Sequence, residues 1–195
     1  MRLARVLSMP LAAVALCVAA DDASPVWNID YATSRIEFSG EQAGAQFTGH
    51  FADWQAAVQL DPIKGDTASF DVDIDLTSVT TGDSDRDATL AEDAWFGTAT
   101  HPSARFQANG FDSGESGWVS RNATLTIKGR AHPISFEFKT AQKAGTNEVV
   151  LLGSARLSRL ALGVGTGDWE DTEWVGDLVT VDVSIRAELA DATGD

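Results

Sequence analysis

The chain has 195 residues, with 14 Lys+Arg against 29 Asp+Glu and a formal net charge of -15. Apolar residues at 44% and charged residues at 22% describe one globular domain that can bury a core without disulfides or metals. So acidic a surface argues against nucleic acid and anionic lipid as partners, and three histidines with one cysteine are too few for a zinc ribbon, an iron–sulfur cluster or cysteine-based catalysis.

Residues 1–20 read as a secretory signal peptide. Arg2 and Arg5 form its positive start, Leu11 to Val18 its apolar run, and Val18-Ala19-Ala20 a small-residue cleavage site before Asp21. The apolar run is shorter than the roughly 20 residues a membrane span needs. Leu16 before Cys17 argues against a lipoprotein. Cleavage removes the one cysteine, which suits an oxidising compartment. The expectation is a periplasmic protein whose residues 21–195 form a single domain.

From Trp27 onward the chain alternates with period two. Ile36–Phe38, Phe47–Phe51 and Ala57–Leu60 read as early strands. Phe70, Val72, Ile74 and Leu76 then alternate with Asp71, Asp73 and Asp75. Arg105–Phe111 follows, and Ala123, Leu125 and Ile127 alternate with threonine and lysine. Ile134, Phe136 and Phe138 repeat the pattern, then Val149–Leu157. The last run places Val179, Val181, Val183, Ile185, Ala187 and Leu189 on one face. Such alternation buries one face and wets the other, which is the mark of an antiparallel sheet. Gly/Asp/Asn/Ser clusters separate the runs. The expected fold is all-β, with about eight strands curled into an up-and-down barrel that removes its own edges. A β-sandwich is the competing architecture. The stretch from Asp83 to Phe96 breaks the alternation and reads as a short helix covering one end. Its first turn is acidic, and Leu90 with Ala94 and Ala91 with Trp95 are expected to face inward.

Candidate chemistry is sparse. Asp71, Asp73 and Asp75 lie on the wet face of a strand, roughly 6.6 Å apart, and an EF-hand frame fails because Leu76 and Gly82 stand where glycine and glutamate are required. His50, His101 and His132 lack ligand spacing. Gly163-Val164-Gly165-Thr166-Gly167 is no phosphate loop and reads as a turn at a barrel rim. Asn122-Ala123-Thr124 is a glycosylation triplet lying within a strand. No nucleophile motif occurs, so no catalytic residue, metal or cofactor is assigned. The six tryptophans and nine phenylalanines are either core filling or the walls and mouth of an apolar pocket.

In order and spacing these residues resemble the YceI-like family of secreted polyisoprenoid-binding proteins. The resemblance runs through Trp27-Asn28-Ile29-Asp30, Ser34–Phe38, Phe47-Thr48-Gly49-His50-Phe51, Asp75–Gly82 with Arg86-Asp87 and Leu90, His101–Phe106, Ala123–Gly129, and Arg159–Gly165 with Trp169. It implies an extended antiparallel, lipocalin-like β-barrel with a short capping helix. The interior would hold a long isoprenoid chain, such as a polyprenyl lipid or a ubiquinone-like quinone. The apolar lining would come from Ile36, Phe38, Phe47, Phe70, Val72, Ile74 and Leu76 in the first half of the chain. Leu125, Ile127, Phe136, Phe138, Val181, Val183 and Ile185 would supply the second half. Arg86, Asp87, Trp95 and Arg159 are placed at the barrel mouth. A structural alternative is that Arg86 and Asp87 pair and pin the helix to the barrel. A histidine that the family often carries four residues after the first strand's phenylalanine is Gln42 here. That departure resembles the branch found with membrane diheme b-type cytochromes and implies a redox accessory handling quinone as a second reading. An enzyme acting on an apolar substrate is a third, and a second copy of the chain is a further candidate partner.

Overall fold

The computed structural model describes residues 25, 27–142 and 145–190. The signal peptide read at residues 1–20 lies outside the described residues. The period-two runs become one antiparallel sheet of twelve strands. These are β1 (Trp27–Ile29), β2 (Arg35–Gln42), β3 (Ala45–Phe51), β4 (Trp54–Gln59), β5 (Ser69–Asp75), β6 (Val79–Thr80), β7 (Ser103–Ser113), β8 (Trp118–Ile127), β9 (Arg130–Ile134), β10 (Glu137–Gln142), β11 (Glu148–Ser158) and β12 (Leu178–Leu189). The helix α1 covers Ser84–Ala91.

Twelve strands exceed the eight expected because several long runs are bent. β3 continues into β4 across Ala52 and Asp53, and β5 into β6 through a 3-10 turn at Leu76–Ser78. Both halves of this pair stay in register: Phe51 faces Val79 and Trp54 faces Ile74. The extra residues on the second partner make a bulge that turns the corner. β9 and β10 likewise share β8, which pairs with one at Leu125–His132 and the other at Phe138–Trp118. Counted as continuous staves, the wall has the expected number, with β1 prolonging β2 along the same edge of β12. The hydrogen-bonded path runs from β4 to β6, and those two strands do not pair. They are halves of two bent staves that bond to each other through the pairs β3–β6 and β4–β5.

The alternation holds across the sheet. On β5 the aspartates point out, where the Arg105 guanidinium meets Asp71 at 2.6 Å. Close approach of strands is set by glycine in two places. Gly49 sits opposite Phe38, and a Cβ there would collide with the Phe38 ring. Gly153 does the same for Phe136, whose Cζ would stand 2.5 Å from such a Cβ. A glycine thus lets each aromatic ring lie flat across its neighbour.

The helix is shorter than the sequence pattern implies. Asp83 caps it by accepting from the backbone N–H of Asp85 and Arg86, and Asp85 and Asp87 sit in the favourable first turn. It stops at Ala91, and a chain of tight turns follows to His101. The reason is packing. Trp95 and Phe96 are both 8% exposed, and adjacent residues on a helix diverge by about 100° and cannot both face inward. Turns allow it. Ala91 is consequently exposed, not paired inward with Trp95.

Candidate functional site

The inward faces of the staves enclose an apolar cavity of about 190 Å³. Val179, Val181, Val183 and Ile185 of β12 all line it, and that run of strand rises roughly 20 Å. The space is therefore long and narrow. Val72, Ile74 and Leu125 point inward yet remain partly exposed, because they face open space and not packed neighbours.

Of the lining expected from the alternation, Ile36, Phe38, Phe47, Phe70, Val72, Ile74 and Leu76 face the cavity. So do Leu125, Ile127, Phe136, Val181, Val183 and Ile185. Phe138 does not. It lies beyond the inner end at 2% exposure, edge-on to Phe111 at 4.9 Å and to Phe70 at 5.1 Å. These rings plug one end of the barrel. Trp27 reinforces the plug, its Nε1 donating to the Leu60 carbonyl at 2.7 Å.

The other end is roofed by Leu90, Trp95 and Phe96 together with Leu162, Val164 and Val175. The last three come from irregular segments, where no period betrays an inward residue. Glu41 also lines the cavity while remaining exposed, so the cavity reaches the surface beside the β2–β3 hairpin. Among the described residues, Glu41 and Arg159 are the charged ones that border the cavity.

Arg159 is 3% exposed and is not a free mouth residue. Its five N–H groups are all spent on backbone carbonyls. Nε donates to Gly176, Nη1 to Val164 and Gly165, and Nη2 to Trp169 and Val175, at 2.6–3.2 Å. Its guanidinium also lies 5.4 Å from the Trp95 ring centroid. Burial pushes the guanidinium below its ordinary value, and Asp177 and Glu170 pull it back in part. One side chain thus gathers the segment from Val164 to Gly176 over the cavity.

Arg86 and Asp87 do not pair and do not line the cavity. The Asp87 carboxylate accepts from Thr81 N–H at 2.7 Å, Thr81 Oγ1 at 2.6 Å and Thr80 Oγ1 at 3.2 Å, fastening α1 to β6. Burial raises this carboxyl, but the threonine donors outweigh burial and hold it below the ordinary carboxylate value. The Arg86 Nε donates to Gln42 Oε1 at 3.0 Å, its Nη2 stands 3.7 Å from Asp83, and its guanidinium covers the outer Phe47 ring. Lys128, which the strand alternation marks only as an outward residue, donates from Nζ to the Asp93 and Gly163 carbonyls and clasps the roof from outside. Gly165 and Thr166 complete it by donating to the Ala94 carbonyl.

A model of the YceI-like domain matches residues 27–187. Among solved structures, BcnA of Burkholderia cenocepacia is 29% identical, with a TM-score of 0.76 over 82% of this chain and 99% of that one. A polyisoprenoid binding domain from Saccharophagus degradans, implicated in plant cell wall breakdown, is 17% identical, with a TM-score of 0.65 over 85% and 99%. The YceI protein of Campylobacter jejuni is 21% identical, with a TM-score of 0.64 over 73% and 85%. The last two likenesses are of fold. No curated protein matches the chain.

Proposed function

The chain belongs to the YceI-like family, and from that premise we propose that it is a carrier that holds one long isoprenoid chain in the barrel interior. The observation that carries this reading is the shape and chemistry of the cavity: long, narrow, and walled by hydrocarbon from every stave. Each CH₂ moved from water into such a wall contributes about 0.8 kcal/mol. A few isoprene units therefore outweigh any single polar contact. The likeness in fold to a polyisoprenoid binding domain supports the same ligand class. Binding is favoured over turnover because the described residues of the wall offer no titratable pair: the charged groups among them are a surface carboxylate and a guanidinium with no donor to spare.

Organic extraction of protein purified without detergent, followed by mass spectrometry, tests the reading. A stoichiometric isoprenoid mass is expected. An empty extract from a protein that also fails to take up added prenol would sink it. The leader read at residues 1–20 supports a periplasmic location for the carrier. Cell fractionation checks that placement, and full-length chain retained in the cytoplasm would contradict it.

A further inference from the structure

Trp95 lines the cavity at 8% exposure, and its Nε1 has no hydrogen-bond partner among the described residues. At the plugged end, Trp27 has its acceptor built in. Buried indoles ordinarily do. The position of the Trp95 ring is not loose. A Cβ on Gly165 would stand 3.0 Å from its Cζ3 and Cη2, so the benzo edge is set against the loop, and Trp169 packs against the ring at 5.5 Å. The pyrrole edge, with Nε1, is the opposite edge. The roof thus holds one unpartnered donor in a fixed place, its nitrogen itself buried, so that an acceptor reaches it as neighbouring roof side chains yield.

Among the described residues the wall holds no free cation. Every N–H of Arg159 is committed to a carbonyl. Arg86 stands outside the wall, bonded to Gln42 and paired with Asp83. The one remaining charge on the lining, Glu41, repels anions. A phosphate entering this cavity would lose its hydration with nothing positive to replace it.

We infer that Trp95 Nε1 is the headgroup site of the cavity, donating to one uncharged oxygen acceptor, so that the barrel takes isoprenoids with a neutral head and discriminates against prenyl phosphates. The inference rests on the carrier reading and adds the headgroup to it. A prenol hydroxyl and a quinone carbonyl both supply the required oxygen.

Calorimetric titration of the whole protein with four probes tests it: geranylgeraniol, a benzoquinone with the same tail, geranylgeranyl diphosphate, and the matching headless hydrocarbon. The diphosphate is expected to bind at least about tenfold more weakly than the alcohol, since a buried unpaired charge is costly. Trp95→Phe is expected to weaken the alcohol or the quinone by on the order of fivefold more than the hydrocarbon, the value of one hydrogen bond, any loss shared by all probes being the loss of apolar wall. An unaltered far-UV circular dichroism spectrum shows that the variant is folded. In the unsubstituted protein the Trp95 indole N–H resonance should move downfield with the headed ligand and stay in place with the hydrocarbon. Whichever of alcohol and quinone moves it names the source of the acceptor. Equal losses for headed and headless probes, or a diphosphate as tight as the alcohol, would overturn the inference while sparing the carrier. Failure of the hydrocarbon itself to bind the unsubstituted protein would overturn the carrier and the headgroup site together.

Discussion

At one end of the barrel, Phe70, Phe111, Phe136 and Phe138 close the space ring against ring, at centroid separations of 4.9–6.4 Å. At the other, Arg159, Asp87 and Lys128 draw irregular chain over the opening through bonds to backbone and threonine groups. The first end uses non-directional burial supplied by strand periodicity. The second uses directional bonds, each of which holds a particular loop at a particular place. A plug of rings tolerates no opening without loss of the core, whereas a stitched roof can open locally while the core stays intact.

The contrast is exposed most strongly at the plug. Phe111→Ala should cost about 3–5 kcal/mol, read as a fall in urea midpoint with faster amide exchange in every stave. Arg159→Met comes next, at about 3 kcal/mol, because five buried or half-buried carbonyls lose their donor. Its faster exchange should be confined to the segment from Val164 to Gly176 and to the roof near Ala94. If both variants loosened the same amides, the two ends would form one cooperative unit and the contrast would fail.

Asp87→Ala should cost about 1 kcal/mol, the net value of an ordinary hydrogen-bond set at a part-exposed site, and should free α1 from β6. Because its folded-state value is held below 3.8, the stabilisation it gives is complete above pH 3.8. It disappears as pH falls through that lower value. Acid titration of the helix should therefore lose this component in the variant and keep it in the parent. A variant with an unaltered acid limb would show that Asp87 does not fasten the roof. The smallest effect is expected at Arg105→Ala on the outer face. Despite its 2.6 Å contact with Asp71, this exposed, solvent-screened pair should leave the urea midpoint almost unmoved.

The difference between the ends also explains what could be read from the amino acids. Phe70, Val72 and Ile74 announce the wall because alternation with Asp71 and Asp73 has no other economical use. The same rule could not tell Phe136, on the wall, from Phe138, in the plug, since both point inward and only the depth of the cavity separates them. At the roof the period is lost. Arg159 is legible as a conspicuous cation but not as one whose five donors are consumed by loops, because those loops approach it only in the folded barrel. Lys128 was legible only as an outward residue, for the same reason. Trp95 stands out by type, yet its orphaned nitrogen is a property of its surroundings. The helix was overextended because the sequence shows Trp95 at helical spacing from Ala91, while the need to bury Phe96 beside it belongs to tertiary packing.

The pairing of β2 with β12, in which Phe38 faces Val181 and Ile36 faces Val183, joins strands from opposite ends of the sequence. The hairpins β2–β3, β7–β8 and β11–β12 can form locally, but the circuit is completed by this late, distant contact. Such non-local pairing slows folding, because chain-closure entropy is spent before the contacts return it. The binding chamber is accordingly the last part of the molecule to exist, and a chain truncated before β12 would have hairpins and no interior.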